Sequence, residues 1–125
     1  MWQTRYAQPV GTGLANGGTC GFGNVIKGET GNLVFAITNS GNLALSGLAL
    51  TTNGPDAAMF TVTGFTGAPV APGSSTTFTV QFTPTSFGSK TGAIHIQNND
   101  TTANPFDVNL TGTGIRPPTT VIEFQ

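Results

Sequence analysis

The chain has 125 residues, a net charge of −1 and only 7% charged side chains, which fits one domain and leaves no room for two. Its four basic residues, Arg5, Lys27, Lys90 and Arg116, are scattered along the sequence; that excludes nucleic-acid binding and anionic membrane surfaces, which need clustered cations. One cysteine, Cys20, excludes an intrachain disulfide, and no apolar run approaches the roughly 20 residues of a membrane span.

What remains is a chain with 37% hydrophobic residues, nine of them Phe, and a surface of Thr, Ser, Asn and Gly where most domains carry charge. The opening residues, Met1 to Tyr6, lack the basic-then-apolar pattern of a signal peptide. The expectation is either a protein exported without a cleaved signal, if at all, or a piece of a longer one.

Read in chain order, the elements are short strands. Residues 3–8 and 23–26 are candidate edge pieces. In residues 33–38, Leu33, Phe35 and Ile37 share one face, the period-two alternation of a strand with one wet side. Asn39, Ser40, Gly41 and Asn42 form a turn, because Gly and Asn tolerate positive φ. Residues 43–50 read as a weak strand, Leu43, Leu45, Leu48 and Leu50 alternating about a bend at Gly47. Pro55 to Ala58 is the one helical turn, and residues 59–63 are a short strand. Pro72–Gly73 precedes the clearest strand, residues 77–82, with Phe78, Val80 and Phe82 inward. After Phe87–Gly88 comes a strand over 93–97 with Ile94 and Ile96 inward. Asn98, Asn99 and Asp100 make a turn, and a strand over 106–111 buries Phe106, Val108 and Leu110. Ile115 to Thr120 reads as a stiff linker with Pro117 and Pro118. Residues 121–124 are an eighth strand, a docking arm, or the start of another domain.

No segment of ten residues has a helical period. The expected fold is therefore all-β: an immunoglobulin-like two-sheet antiparallel sandwich of seven to eight strands. Residues 1–19 form an N-terminal strand or arm, 20–114 the sandwich, and 115–125 a Pro-containing linker or C-terminal arm. The core comprises Phe22, Leu33, Phe35, Ile37, Leu45, Phe60, Phe78, Val80, Phe82, Ile94, Ile96, Phe106, Val108 and Leu110.

No catalytic set assembles. His95, the only histidine, sits between two inward Ile residues and faces solvent; Asp107, on the neighbouring strand, is its one available partner, and a base needs more than that. Cys20 has no cationic neighbour to activate it and reads as a buried thiol. Zinc lacks its ligands. Asp100 with Asn98 and Asn99 offers calcium a single carboxylate and reads as a turn. The glycines around Thr12 and Phe22 precede no helix and no Lys–Ser/Thr pair, so they cradle no phosphate. Asn99 and Asn109 head glycosylation sequons, the second inside a strand. No catalytic, cofactor or metal residue is assigned. The candidate interaction patch is Trp2 and Tyr6 with Val121 and Phe124, on the two terminal segments, since aromatic residues are enriched at interfaces.

The ordered run Phe22–Gly23, Thr38 to Asn42 with Leu43 and Leu45, and Gly54 to Ala58 with Phe60 resembles the bacterial choice-of-anchor D repeat. So does its sequel: Ala71 to Ser74, Phe82 to Thr85, Phe87–Gly88, Asn98 to Asp100, and Leu110 to Gly114. The same run is similar to the Hydin-type ASH domain, within the group that includes the major sperm protein. It covers about three quarters of the chain. The resemblance implies an immunoglobulin-like sandwich, non-enzymatic, serving as a module of large surface or secreted bacterial proteins or of ciliary and centrosomal ones. No catalytic residue carries over, because the matched positions are turns and core.

The function expected is thus a structural or binding module for protein–protein interaction or adhesion in a surface or extracellular protein. The alternative is a free-standing virion component, such as a capsid decoration protein, docking through terminal arms or edge strands. A protein partner or self-assembly is expected; carbohydrate stays open for the Thr and Asn faces, with no pattern to support it.

Overall fold

A computed structural model describes residues 4–7, 13–14, 16–100 and 104–117. Among the described residues, nine strands form two facing sheets: β1 (Thr4–Ala7), β2 (Gly13–Leu14), β3 (Gly18–Ile26), β4 (Gly31–Asn39), β5 (Ala49–Asn53), β6 (Phe60–Thr63), β7 (Ser75–Phe82), β8 (Gly88–Gln97) and β9 (Phe106–Ile115). The first sheet runs β2-β1-β4-β7-β6 and the second β3-β9-β8-β5. The architecture is the immunoglobulin-like sandwich read from the sequence, with the two-residue β2 raising the strand count. Pairing is antiparallel except between β3 and β9, which run parallel.

Alternation drives the assembly. On β7, Phe78, Val80 and Phe82 point into the gap between the sheets, and on β9 Phe106, Val108 and Leu110 do the same from the other side. Each such side chain contributes about 1.5–3 kcal/mol through burial. Six of the Phe residues sort into two groups. Phe60 stacks on Phe82 at 4.8 Å between centroids, with Phe22 tilted against both at 5.6 Å. Phe35 stacks on Phe78 at 5.3 Å, with Phe65 edge-on to Phe78. Of the expected core, Phe22 and Leu33 are only partly buried, packed against the cluster; Cys20, Val25, Leu48 and Val70 join it.

Three local readings are corrected. The weak strand expected over 43–50 is a loop as far as Leu48: Leu43 is exposed, Leu45 forms an isolated bridge to Val70, Gly47 takes φ +68°, and the strand starts only at Ala49. Asn39 is not part of the turn. It is the fully buried last residue of β4, and its side chain fastens the loops on either side of that bridge: Nδ2 donates to Leu43 O at 2.7 Å and Val70 O at 3.0 Å, while Oδ1 accepts from Gly41 N. The strands expected at 93–97 and 106–111 are longer, Gly88–Gln97 and Phe106–Ile115. Their glycines lie inside the ladder, where Gly112 makes room for the ring of Phe82, and Gly114 for the carbonyl of Ser86. The helical turn at Pro55 is a single 3-10 turn, Ala57–Met59, held on β8 by Asp56, whose Oδ2 accepts from Thr91 N.

Candidate functional site

Of the candidate patch, Trp2, Val121 and Phe124 lie outside the described residues. Tyr6 belongs to β1, where its backbone sits opposite Ile37, but its side chain lies outside them as well.

His95 and Asp107 are direct cross-strand neighbours on the outer face of the second sheet. His95 Nδ1 lies 2.6 Å from Asp107 Oδ1, the pairing anticipated from the sequence. Asp107 is held in turn through its backbone: its N–H donates to Asn16 Oδ1, and its carbonyl accepts from Gly17 N. The far ring nitrogen, Nε2, is buried and has no hydrogen-bond partner among the described residues. An oriented His is half of a nucleophile–base arrangement, which also needs a hydroxyl or thiol within reach of Nε2. Cys20 does not supply it. It lies at 0% exposure between the sheets, whereas His95 points out of the second sheet.

Burial pushes the Cys20 thiol from 9.0 up to about 12, so the thiol is inert in the folded state. The unfolded chain ionises first. Stability is therefore full below about pH 9 and falls as pH rises from there toward 12. The check is alkylation: iodoacetamide at pH 8 leaves native Cys20 unmodified and labels it in denaturant. Rapid native labelling would place this thiol at the surface.

The Asn98 turn is a fastener. Asn98 and Asp100 are buried, and Asn98 Oδ1 accepts from Asp100 N at 2.7 Å. Asn99 Oδ1 accepts from Ser46 N, and its Nδ2 donates to Ala44 O, tying this turn to the loop before β5. Of the residues weighed for calcium, Asn98 and Asn99 engage backbone through their side chains, and the described residues contain no group of three or more His, Cys, Asp or Glu side chains placed to hold a metal ion. The two sequon asparagines are also tied: Asn109 Nδ2 donates to Gly17 O.

Three of the basic residues, scattered in sequence, are gathered in space. Lys27 follows β3, Arg116 follows β9, and both sit over the ring of Phe87, at 5.3 Å and 4.9 Å from its centroid. Lys90, on β8, is largely buried beneath the same turn; its Nζ donates to Ser86 Oγ at 2.7 Å and Phe87 O at 3.1 Å. Phe87 itself stays 45% exposed.

A family profile described as ASH (abnormal spindle-like microcephaly-associated, ASPM-SPD-2-Hydin) matches residues 14–105. The chain belongs to the ASH family. A search of curated proteins finds no match. Among solved structures, this ASH domain is similar to a Porphyromonas gingivalis W83 protein of unknown function (TM-score 0.66, 20% identity, 90% of this chain and 46% of that one). It is similar to the human CEP192 ASH/PapD-like domain 7 (TM-score 0.62, 12% identity, 94% and 87%). It is also similar to the Vibrio cholerae VesB protease (TM-score 0.66, 17% identity, 89% and 32%). This chain therefore spans under half of the Porphyromonas protein and about a third of the Vibrio one. At these identities the likeness is one of fold. The ASH family is one of non-catalytic modules whose fold serves protein interaction.

Proposed function

We propose that this ASH domain is a non-enzymatic module that mediates protein–protein contact within a surface or extracellular protein. The observation that carries the reading is where the polar side chains go. Asn39, Asn98, Asn99, Asp56 and Lys90 bind loop and strand backbone, so they fix a shape and leave little chemistry free to act on a substrate. The family match spans most of that shape. A charge-poor surface of hydroxyl and amide groups is the second support, since it permits close packing against a neighbour with little desolvation of charge. The outer edge strands, β5 and β6, offer backbone groups for strand addition.

The test is the native polypeptide. Its intact mass and cell fraction are measured with an antibody against the domain. The expected result is a chain well above 12.7 kDa in the surface or secreted fraction, cross-linked to a protein neighbour. A 12.7 kDa species found only in assembled particles overturns the surface reading in favour of a virion structural protein.

A further inference from the structure

The turn at Phe87 carries two cations and an exposed aromatic ring at one end of the sandwich. The β3–β4 turn supplies Lys27, the end of β9 supplies Arg116, and the β7–β8 turn supplies the ring both approach. Like charges repel, yet here two are held on one ring in a molecule with only four basic residues. Among the described residues neither Lys27 nor Arg116 forms an ion pair. Glu29 stands exposed two residues beyond Lys27 and pairs with neither. Attraction to the face of Phe87 orients both side chains, and orienting them in advance reduces the entropy lost when an anion binds. Lys90 fixes the turn from below through Ser86 and the Phe87 carbonyl, so the ring is presented on a braced loop.

We infer that this cationic aromatic turn is a docking surface for an acidic segment of a partner protein, one in which carboxylate side chains alternate with apolar ones. Arg116 presents a planar fork that matches a carboxylate; Lys27 adds a point charge, and the exposed ring of Phe87 takes the apolar neighbour. Two cations are too few to hold a nucleic acid, whose affinity scales with the number of phosphates neutralised. The inference deepens the reading of the domain as a protein-interaction module and rests on it.

The experiment titrates the isotope-labelled 125-residue chain with an alternating Glu–Leu hexapeptide and follows backbone amide shifts. The expected result is movement confined to the amides around Lys27, Phe87 and Arg116, abolished by high salt. Binding weakens by about tenfold or more in the K27Q/R116Q double variant, as for loss of charge-assisted contacts. F87S weakens it too, and a Lys–Leu hexapeptide produces no shift. The substituted positions lie at turns and a strand end, and an unchanged melting temperature verifies that the variants fold. Shifts elsewhere, or unchanged affinity in the double variant, overturn the proposal. Inorganic phosphate reproducing the same shifts with the same affinity overturns the acidic-peptide assignment and leaves an anion site only. A native partner captured through another face, with this titration blank, removes this surface while the module reading stands.

Discussion

Replacing Phe82 by Ala is expected to lower stability by about 3–5 kcal/mol, the range for removing a large buried aromatic side chain. Phe82 has 0% exposure and ends β7. Its ring stacks on Phe60, touches Phe22, and fills the space above Gly112. The last contact gives the prediction a second arm. A Cβ at Gly112 would run into the Phe82 ring, with Cδ2 and Cζ both at 2.8 Å. Gly112→Ala alone should therefore destabilise through overpacking, by about 1–3 kcal/mol or more. In the Phe82→Ala background the added methyl enters vacated space, and its penalty should largely vanish. Urea denaturation of the four proteins measures the coupling, expected to exceed about 1 kcal/mol. Additive losses would mean that the glycine is required for some reason other than this ring.

The second large effect is expected at Asn39. Asn39→Leu nearly preserves volume while deleting the amide that joins three backbone groups. Val70 O keeps its bond from Leu45 N, but Leu43 O and Gly41 N lose the partner they have. Both lie in part-buried surroundings, where a hydrogen bond contributes about 0.5–1.5 kcal/mol, so a total of about 1–3 kcal/mol is expected. Hydrogen exchange supplies the local signature: Leu45 and Val70 amides, which bond each other's carbonyls across the bridge, should exchange faster while those of β8 and β9 follow only the global change. A loss under about 1 kcal/mol with no change at these amides would mean that the loops hold themselves.

Which parts of this architecture were legible depended on what each residue reports locally. Phe78, Val80 and Phe82 alternate with Thr and Gln, so β7 declares both its conformation and its inner face. The second half of β8 and the first half of β9 announce themselves in the same way. Their remaining halves do not. Gly112 and Gly114 carry no side chain to alternate and sit in a Thr–Gly repeat that reads as a turn; only the Phe82 ring and the Ser86 carbonyl, far away in sequence, show why glycine is needed inside a strand. Asn39 misled for a related reason. An Asn beside Ser and Gly is the composition of a turn, and nothing nearby in sequence reveals that Val70 arrives to accept its hydrogen bond. The leucines of the 43–50 segment do alternate, but Leu45 is committed to a bridge and Gly47 turns the chain between them. At the surface, the His95–Asp107 pair was legible because two adjacent strands were. The grouping of Lys27 and Arg116 on Phe87 was not, because three separate elements end at the same place and no short stretch of sequence records that.

The parallel pairing of β3 with β9 has a mechanical consequence. Because these two strands run the same way, Gly18 and Ile115 lie at opposite ends of the sandwich, along the strand direction. Tension applied between them pulls along the strands, so the ladder from Gly18–Val108 to Ile26–Ile115 is loaded lengthwise and its hydrogen bonds bear the force together. An antiparallel first and last pair would bring the two ends side by side and open like a zip, one bond at a time. The register break between Gly21 and Asn24 divides that ladder into two blocks, Gly18 to Gly21 and Asn24 to Ile26.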